Sequence, residues 1–250
     1  MSHHTIDLTN VLYTYPDGTT ALRNLSLHIG HGEAIAIVGS NGSGKTTLLS
    51  HLNGVLFPTA GEVNIGGYPV VKETLAYIRR TVGMVFQNPD DQLFMPTVYD
   101  DVAFGPLNLG YPPLEVEKRV TSALKTVGAY ALKDRPPYRL SGGQKRAVAI
   151  ATVLAMDPAI LVMDEPTAAL DPLARRQLIT LLHTFSHTKI IATHDLDMVL
   201  DLCKRTIVLH NGTILADGPT LEIFRDRCIL EQAGLEQPFS MQSCPICSKI

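Results

Sequence analysis

The feature that most constrains the fold is a glycine-rich octapeptide between a buried-strand pattern and a helical pattern. Residues Gly39 to Thr46 read GSNGSGKT and fit G-x-x-x-x-G-K-[S/T], directly after the apolar run of residues 33–38. Glycines let consecutive backbone N–H groups point at phosphate oxygens, and the start of the following helix adds positive charge. The octapeptide therefore predicts a nucleotide phosphate loop, with Lys45 reaching the β- and γ-phosphates. An ordinary glycine-rich turn would not need the full pattern.

Two acids follow a second buried-strand run. Residues 160–163 read ILVM and are followed by Asp164 and Glu165. Burying the run delivers both carboxylates to the carboxyl edge of the sheet, where open α/β sheets bind ligands. Asp164 is then suited to hold Mg²⁺ together with the Thr46 hydroxyl, and Glu165 to polarise an attacking water. The alternative is a pair of solvated loop charges, which the phosphate loop makes the weaker interpretation.

A third motif lies immediately before an apolar helix. Residues 140–145 read LSGGQK, so Ser141 is expected to cap the helix. The exposed amides of Gly142 and Gly143 then form a second anion site. One chain needs a single phosphate loop, so the second site is explained if it serves the nucleotide of another subunit. An ordinary helix cap is the alternative.

The overall pattern predicts an α/β fold with a mostly parallel central sheet. Short alternating strands over residues 5–29, broken by a turn at Pro16–Gly18, indicate an antiparallel β lobe. From residue 141 onward, helices alternate with buried strands, which is typical of a parallel sheet. The helical stretch from about residue 98 interrupts this alternation and is interpreted as an inserted helical subdomain. Asp171 and Pro172 are expected to start a further helix.

Composition excludes several classes of protein. The 250 residues are 45% hydrophobic, which is enough for a core, and carry a net charge of −3 without any Trp. Neither a basic field nor a stacking platform is available for nucleic acid, so no nucleic-acid partner is expected. Four Cys favour a reducing compartment rather than a disulfide framework. No secretory signal and no membrane-spanning run is found.

Together these motifs resemble the nucleotide-binding subunits of ABC transporters over roughly residues 5 to 225. LSGGQ is the signature of that family, and its distance before ILVMDE fits. The resemblance implies the P-loop NTPase fold of the ABC cassette. It also identifies Gln87 as the Q-loop residue, Asp171 as the D-loop acid and His194 as the switch histidine. Tyr15 resembles the aromatic that stacks on adenine, with Tyr13 as the alternative.

The resemblance also implies a division of roles. Two ATP molecules are expected at a head-to-tail dimer interface, each between the P-loop of one chain and the signature of the other. The second subunit is an identical copy or a paralogous ATPase. Expected catalytic residues are Glu165, His194, Lys45 and Gln87, and expected Mg²⁺ ligands are Thr46, Gln87 and Asp164. Expected ATP-binding residues are Tyr15, Gly39, Ser40, Asn41, Gly42, Ser43, Gly44, Lys45, Thr46, Thr47, Ser141, Gly142, Gly143 and Asp171.

A narrower resemblance points to the ATPases of energy-coupling-factor importers, most closely the cobalt or nickel branch. It rests on QNPDDQ at residues 87–92, AFGPLNLG, RPPYRLSGG and IATVLAMDP. It implies a peripheral position on the cytoplasmic face of the cell membrane, with an integral coupling subunit and a substrate-binding membrane subunit. Asp90 and Asp91 are expected to face that partner. A vitamin importer of the same type, a soluble non-transport ABC ATPase and a non-catalytic subunit are the alternatives.

Three details complete the interpretation. Residues 1–225 are assigned to the ATPase domain, with the helical subdomain at about 98–150, and residues 226–250 to a short C-terminal tail. In the tail, Cys244 and Cys247 form a CxxC pair without the context of a redox or zinc site.

Many relatives carry Arg four residues after the last glycine of the signature. Here Ala147 stands there and Arg146 precedes it, and we expect Arg146 to compensate.

Overall fold

The amino-terminal part of the chain forms an antiparallel sheet of four strands in the order β2-β1-β4-β5. The computed structural model describes residues 4–168 and 170–242, so Cys244 and Cys247 lie outside the described residues. The strands are β1 (Ile6–Thr14), β2 (Thr20–Ile29), β4 (Ala60–Ile65) and β5 (Tyr68–Pro69). The predicted antiparallel β lobe is thereby confirmed, because β1 pairs with both β2 and β4 in antiparallel register.

A short turn divides the last part of this lobe. Strands β4 and β5 are joined by Gly66 and Gly67. Their φ angles are 59° and 83°, in the left-handed region that two-residue hairpin turns require. Glycine reaches this region without strain, which is why the chain reverses here.

The central sheet has six strands in the order β10-β9-β3-β8-β7-β6. They are β3 (Ala34–Val38), β6 (Val82–Val85), β7 (Ile160–Asp164), β8 (Thr188–Ala192), β9 (Arg205–His210) and β10 (Thr213–Pro219). All neighbours pair in parallel except β10, which returns antiparallel to β9. Every residue of β6, β7 and β8 is buried, as expected for strands covered on both faces. The predicted mostly parallel sheet is confirmed.

Helices flank this sheet and most begin at recognisable signals. The bounds are α1 (Lys45–Leu52), α2 (Leu75–Thr81), α3 (Val98–Asn108), α4 (Pro113–Thr126), α5 (Gly142–Leu154), α6 (Pro172–Thr184), α7 (Leu196–Leu202), α8 (Thr220–Arg225) and α9 (Arg227–Ala233). Ser141 and Asp171 cap α5 and α6 through their side-chain oxygens, as predicted. None of the helices in the described part of the chain is long and apolar enough to cross a membrane.

Three apolar clusters form the core. The first lies between the antiparallel lobe and one face of the central sheet, and the second lies on the opposite face, against α6 to α9. The third is built by α3, α4 and one side of α5, for example by Val102, Val120 and Val148, all fully buried. The helical subdomain therefore has its own core and packs against the sheet through α5. Its limits of 98–150 stay a prediction.

The segment after residue 225, which the sequence assigns to a short C-terminal tail, packs against the domain in its described part. Its first part forms α9, in which Leu230 is 1% exposed and Ala233 is fully buried in the second cluster. Further along, the backbone amides of Phe239 and Ser240 donate to the Asp197 carboxylate on α7. Two buried apolar residues in a seven-residue helix carry too weak a periodicity to be recognised in the sequence.

This arrangement predicts that Leu230→Ala destabilises the whole protein. Removing a buried leucine side chain leaves a cavity and costs about 2–5 kcal/mol of unfolding free energy. Urea denaturation followed by circular dichroism measures the loss. Phe239→Ala is the matched control in the same segment, because Phe239 is 82% exposed; it should change the unfolding free energy by less than ~0.5 kcal/mol. Equal effects of the two substitutions would show that α9 is not part of the core.

Candidate functional site

The phosphate loop joins β3 to α1 and depends on two close approaches of backbone to backbone. A Cβ at Gly39 would lie 2.2 Å from the Leu209 carbonyl oxygen, and one at Gly44 would lie 2.8 Å from that of Ala21. Both glycines have positive φ, 155° and 106°. The tip of the loop, at Asn41 and Gly42, is exposed. The loop is therefore wedged between β9 and β2 at its ends and open at its tip, as a phosphate cradle requires.

The ammonium group of Lys45 lies inside this loop. Its Nζ donates to the Gly39 carbonyl at 2.8 Å and to the Ser40 carbonyl at 3.1 Å, and lies 3.2 Å from Nε2 of His194. Burial lowers the pKa of Lys45, while the carboxylates of Glu165 and Asp164 act in the opposite direction. The lysine is thus held over the loop at the edge where the two acids stand.

A hydroxyl and a carboxylate form an oxygen-rich pair beside the lysine. Thr46 Oγ1 donates to Asp164 Oδ2 at 2.7 Å. The other carboxylate oxygen of Asp164, Oδ1, is buried without a hydrogen-bond partner among the residues that the structure describes. Burial raises the pKa of Asp164, whereas the Thr46 hydrogen bond and the Lys45 charge lower it. Oxygen donors with an unsatisfied buried carboxylate are the set that Mg²⁺ prefers, so these residues fit the ion.

Glu165 and His194 face each other at the same edge. The Glu165 carboxylate accepts from the Thr193 hydroxyl and from the His194 amide, each at 3.2 Å, and its Oε1 lies 3.3 Å from His194 Nε2. Glu165 has a φ of 46°, which non-glycine residues rarely adopt and which costs free energy. A carboxylate held this way against a histidine is suited to receive a proton from water.

Tyr15 is the predicted aromatic residue that lies beside the loop. Tyr15 contacts Thr47 through the two hydroxyls at 2.9 Å, beside the first turn of α1. The Tyr13 ring instead packs edge-on against His51 at 4.8 Å, over the first apolar cluster. Gln87 lies two residues after β6 and is exposed. The geometry favours Tyr15 over Tyr13 as the aromatic nearer the loop, and the adenine contact stays a prediction.

The signature motif and the D-loop acid lie in another part of the surface. Ser141 Oγ accepts from the Gln144 amide at 3.3 Å, and Gln144 Oε1 accepts from the Ser141 amide at 3.0 Å. Ser141, Gly143 and Asp171 line one groove of about 840 Å³ between α4, α5 and α6, to which the residues of the phosphate loop do not contribute. The structure therefore groups the predicted residues into two sets within one chain.

Arg146, which the sequence suggests as a substitute for the Arg that relatives carry at the position of Ala147, is anchored between these two sets. It is 3% exposed, and its guanidinium donates to the carbonyl oxygens of Phe86 and Gln87. Burial lowers the pKa of Arg146, while Asp164 and Glu165 raise it. The arginine on α5 thus anchors the backbone at Gln87. A contact of this kind leaves no signal in sequence spacing beyond the departure noted at Ala147.

Comparisons with known proteins agree with this geometry. The family model described as ABC transporter matches residues 22–168, more than half of the chain. A putative ABC transporter ATP-binding protein of Geobacter sulfurreducens is 63% identical over the full length of both chains. The energy-coupling factor transporter ATP-binding protein EcfA of Methanocaldococcus jannaschii is 48% identical, covering 93% of this chain and 85% of the relative.

Solved structures give the same result. The structure of cbiO1 from Clostridium perfringens, described as part of the ABC transporter complex cbiONQ, is 40% identical with a TM-score of 0.79, covering 92% of this chain and 94% of that one. An ATP-binding cassette solved as a dimer with ADP and Pi is 33% identical with a TM-score of 0.79, covering 86% and 98%.

The fold and the site define a P-loop ATPase, and the chain belongs to the ATP-binding proteins of ABC transporters. It binds and hydrolyses ATP, and the energy-coupling factor proteins stand among its relatives. The family that the motifs suggested is thereby confirmed, as is the ABC cassette fold.

The buried position of Arg146 predicts that Arg146→Met lowers both stability and ATP turnover. The substitution leaves two carbonyls and two nearby carboxylates without their cation, so the unfolding free energy should fall by about 3 kcal/mol. Thermal unfolding and steady-state phosphate release measure the two effects. Arg139→Met is the control, since Arg139 is exposed. An unchanged melting temperature for Arg146→Met would refute the anchoring role.

Proposed function

We propose that the chain is the ATP-hydrolysing subunit of an energy-coupling-factor importer for cobalt or nickel ions, working at the cytoplasmic face of the cell membrane. The observation that carries the ATPase part is the position of His194 at one edge of the sheet, 3.2 Å from Lys45 and 3.3 Å from Glu165. The transport part rests on similarity to EcfA proteins and to cbiO1.

Nucleotide binding follows from the phosphate loop. The backbone amides between Gly39 and Thr46 surround the phosphates, and Lys45 neutralises the β- and γ-phosphate oxygens. Thr46, Asp164 and Gln87 hold Mg²⁺, which supplies charge neutralisation at the phosphates when it is bound. Because the Thr46 hydroxyl already lies 2.7 Å from Asp164, two of the three ligands are positioned beforehand.

Hydrolysis follows from the pair of Glu165 and His194. Glu165 accepts the proton of the attacking water, since its carboxylate is largely buried and its orientation is set by the Thr193 hydroxyl and the His194 amide. His194 contacts the γ-phosphate, and Lys45 stabilises the charge that develops on the phosphoryl oxygens. Catalysis consists mainly of positioning and electrostatics.

A head-to-tail dimer accounts for the separation of the two residue sets. Ser141, Gly142 and Gly143 of one chain bind the γ-phosphate held by the P-loop of the other, and Asp171 lies at the same interface. The open start of α5, where a Cβ at Gly142 would meet nothing within 4 Å, supports this role. One chain contains both half-sites, so a homodimer is sufficient; a paralogous ATPase is the other arrangement.

The membrane partner binds beside the Q-loop. Asp91 is exposed there, while Asp90 pairs with Lys145 of α5. Next to them, Phe94 and Phe104 are 63% and 43% exposed and stack edge-on with ring centres 5.1 Å apart. An exposed aromatic pair rimmed by acids suits a basic, partly apolar helix of a coupling subunit. A substrate-binding membrane subunit completes the importer.

We predict that Glu165→Gln retains ATP binding and loses roughly 10²- to 10⁴-fold in turnover, the range typical of a missing general base. Glutamine keeps the shape of the side chain but cannot take the proton. Binding of a fluorescent ATP analogue and phosphate release measure the two quantities separately.

Two variants serve as comparisons for this experiment. Lys45→Ala should weaken nucleotide binding itself, because it removes the phosphate contact. Glu117→Gln changes an exposed glutamate of α4 and should leave both quantities unaltered. Normal turnover in Glu165→Gln would disprove the assignment of the base.

We also predict that tagged Glu165→Gln chain, purified from gently solubilised source cells with Mg-ATP, brings a polytopic membrane protein and its small companion with it. Mass spectrometry identifies both, and uptake of labelled cobalt, nickel or vitamin by the reconstituted complex decides the cargo. Asp91→Lys and Phe94→Ser, each added to that chain, should reduce recovery of the membrane protein. Leu221→Ser is the control, because Leu221 is an exposed apolar residue elsewhere. Recovery of soluble partners alone would remove the transport claim and leave the ATPase.

A further inference from the structure

An ion pair joins the first turns of α6 to the segment that carries His194. Arg175 Nε donates to Asp195 Oδ2 at 2.6 Å, and Arg175 Nη2 donates to Asp195 Oδ1 at 2.7 Å. The two side chains are 27% and 20% exposed, so solvent screens the pair only in part. Two parallel hydrogen bonds between a planar guanidinium and a carboxylate determine orientation as well as distance.

Asp195 directly follows His194, so the pair determines where the backbone runs at the histidine. The Asp195 carboxylate also accepts from the Met198 amide at 3.0 Å and thereby caps α7. Burial alone would raise the pKa of Asp195, but the hydrogen bonds from Arg175 and Met198 outweigh it and lower the pKa. The carboxylate therefore stays charged and carries both tasks at neutral pH.

The His194 segment is held from the other side by the sheet. The Thr193 amide donates to the Ile37 carbonyl at 3.2 Å, and Thr193 Oγ1 donates to Glu165. The histidine side chain is 42% exposed, and its Nε2 lies 3.3 Å from Glu165 Oε1 and 3.2 Å from Lys45 Nζ, both groups of the reacting edge. Its orientation thus depends on how residues 193 and 195 are anchored, and Arg175 supplies the second anchor.

The start of α6 also borders the signature helix. A Cβ at Gly143 would lie 3.8 Å from Leu170 Cδ2 and 4.0 Å from Ala174 Cβ. Ala174 and Arg175 are consecutive residues, so the turn of α6 that binds Asp195 also lines the groove beside the start of α5.

We propose that Arg175 is a positioning residue for ATP hydrolysis: through its paired hydrogen bonds to Asp195 it holds His194 towards Glu165. This rests on the proposed role of His194 in hydrolysis. Nothing in the motif pattern assigns Arg175, since it lies four residues beyond the D-loop acid.

The test compares Arg175→Gln with the wild-type chain in steady-state hydrolysis. Turnover should fall roughly 10- to 100-fold, the effect of a small misplacement of a catalytic group, while the KM for ATP changes less than about 2-fold. Arg175→Lys keeps the charge but cannot form both hydrogen bonds, so its turnover should lie between those of the wild-type chain and Arg175→Gln. Arg176→Gln is the matched control on the same helix, because Arg176 is exposed. Thermal unfolding confirms that each variant is folded.

Epistasis with His194 separates positioning from a loss of stability. In a His194→Ala background, measured by single-turnover hydrolysis, adding Arg175→Gln should change the rate by less than about 2-fold. Arg175→Gln combined with Asp195→Asn should be no slower than the slower single variant. If Arg175→Gln lowers the hydrolysis rate in the His194→Ala background by the same factor as in the wild-type chain, the proposal is overturned.

The remaining outcomes are equally distinct. If the wild-type chain hydrolyses ATP and Arg175→Gln has the same turnover, this inference is overturned and the proposed function stays intact. A wild-type chain without ATPase activity overturns both.

Discussion

The site depends on the register of three buried parallel strands, β3, β8 and β7. Ile37 pairs with Ala192, and Ala192 pairs with Asp164. One step beyond this row, the Thr193 amide reaches Ile37 and the Glu165 amide reaches Ala192. A slip of one residue would turn the acids and the histidine towards the wrong face of the sheet. With the register observed, the loops that follow β3, β7 and β8 bring Lys45, Glu165 and His194 to the same edge of the sheet.

The parts of the molecule that the sequence predicts best are those in which local signals and function coincide. The phosphate loop follows a buried run, β3, and precedes a helix, α1, as the pattern predicts. Ser141 and Asp171 are cap residues as well as motif residues, so their local geometry could be inferred without tertiary information. The parallel sheet follows from alternation of strands and helices. The family resemblance supplied the roles of Gln87 and His194, which no local pattern would indicate.

Other features could not be inferred because they arise from tertiary contacts. Arg146 and Arg175 read as ordinary charged residues of amphipathic helices, yet each binds oxygen atoms on a distant element. The carbonyls and carboxylates that bind these two guanidinium groups come together only in the folded chain. Helix α9 is not predicted by the sequence for a related reason, since its two buried residues, Leu230 and Ala233, are too few to form a pattern. Its burial depends on the space that the second cluster leaves for it.

The left-handed backbone of Glu165 has a consequence for how such chains diverge. A φ of 46° places a free-energy cost on every folded molecule, and the cost is offset only by what the acid does there. In a duplicated gene whose protein no longer has to hydrolyse ATP, glycine or asparagine at this position would relax the backbone and make the fold more stable. Selection for stability alone would then erode the acid early. The glycines at 39 and 44, which the fold itself requires, would persist in the descendants.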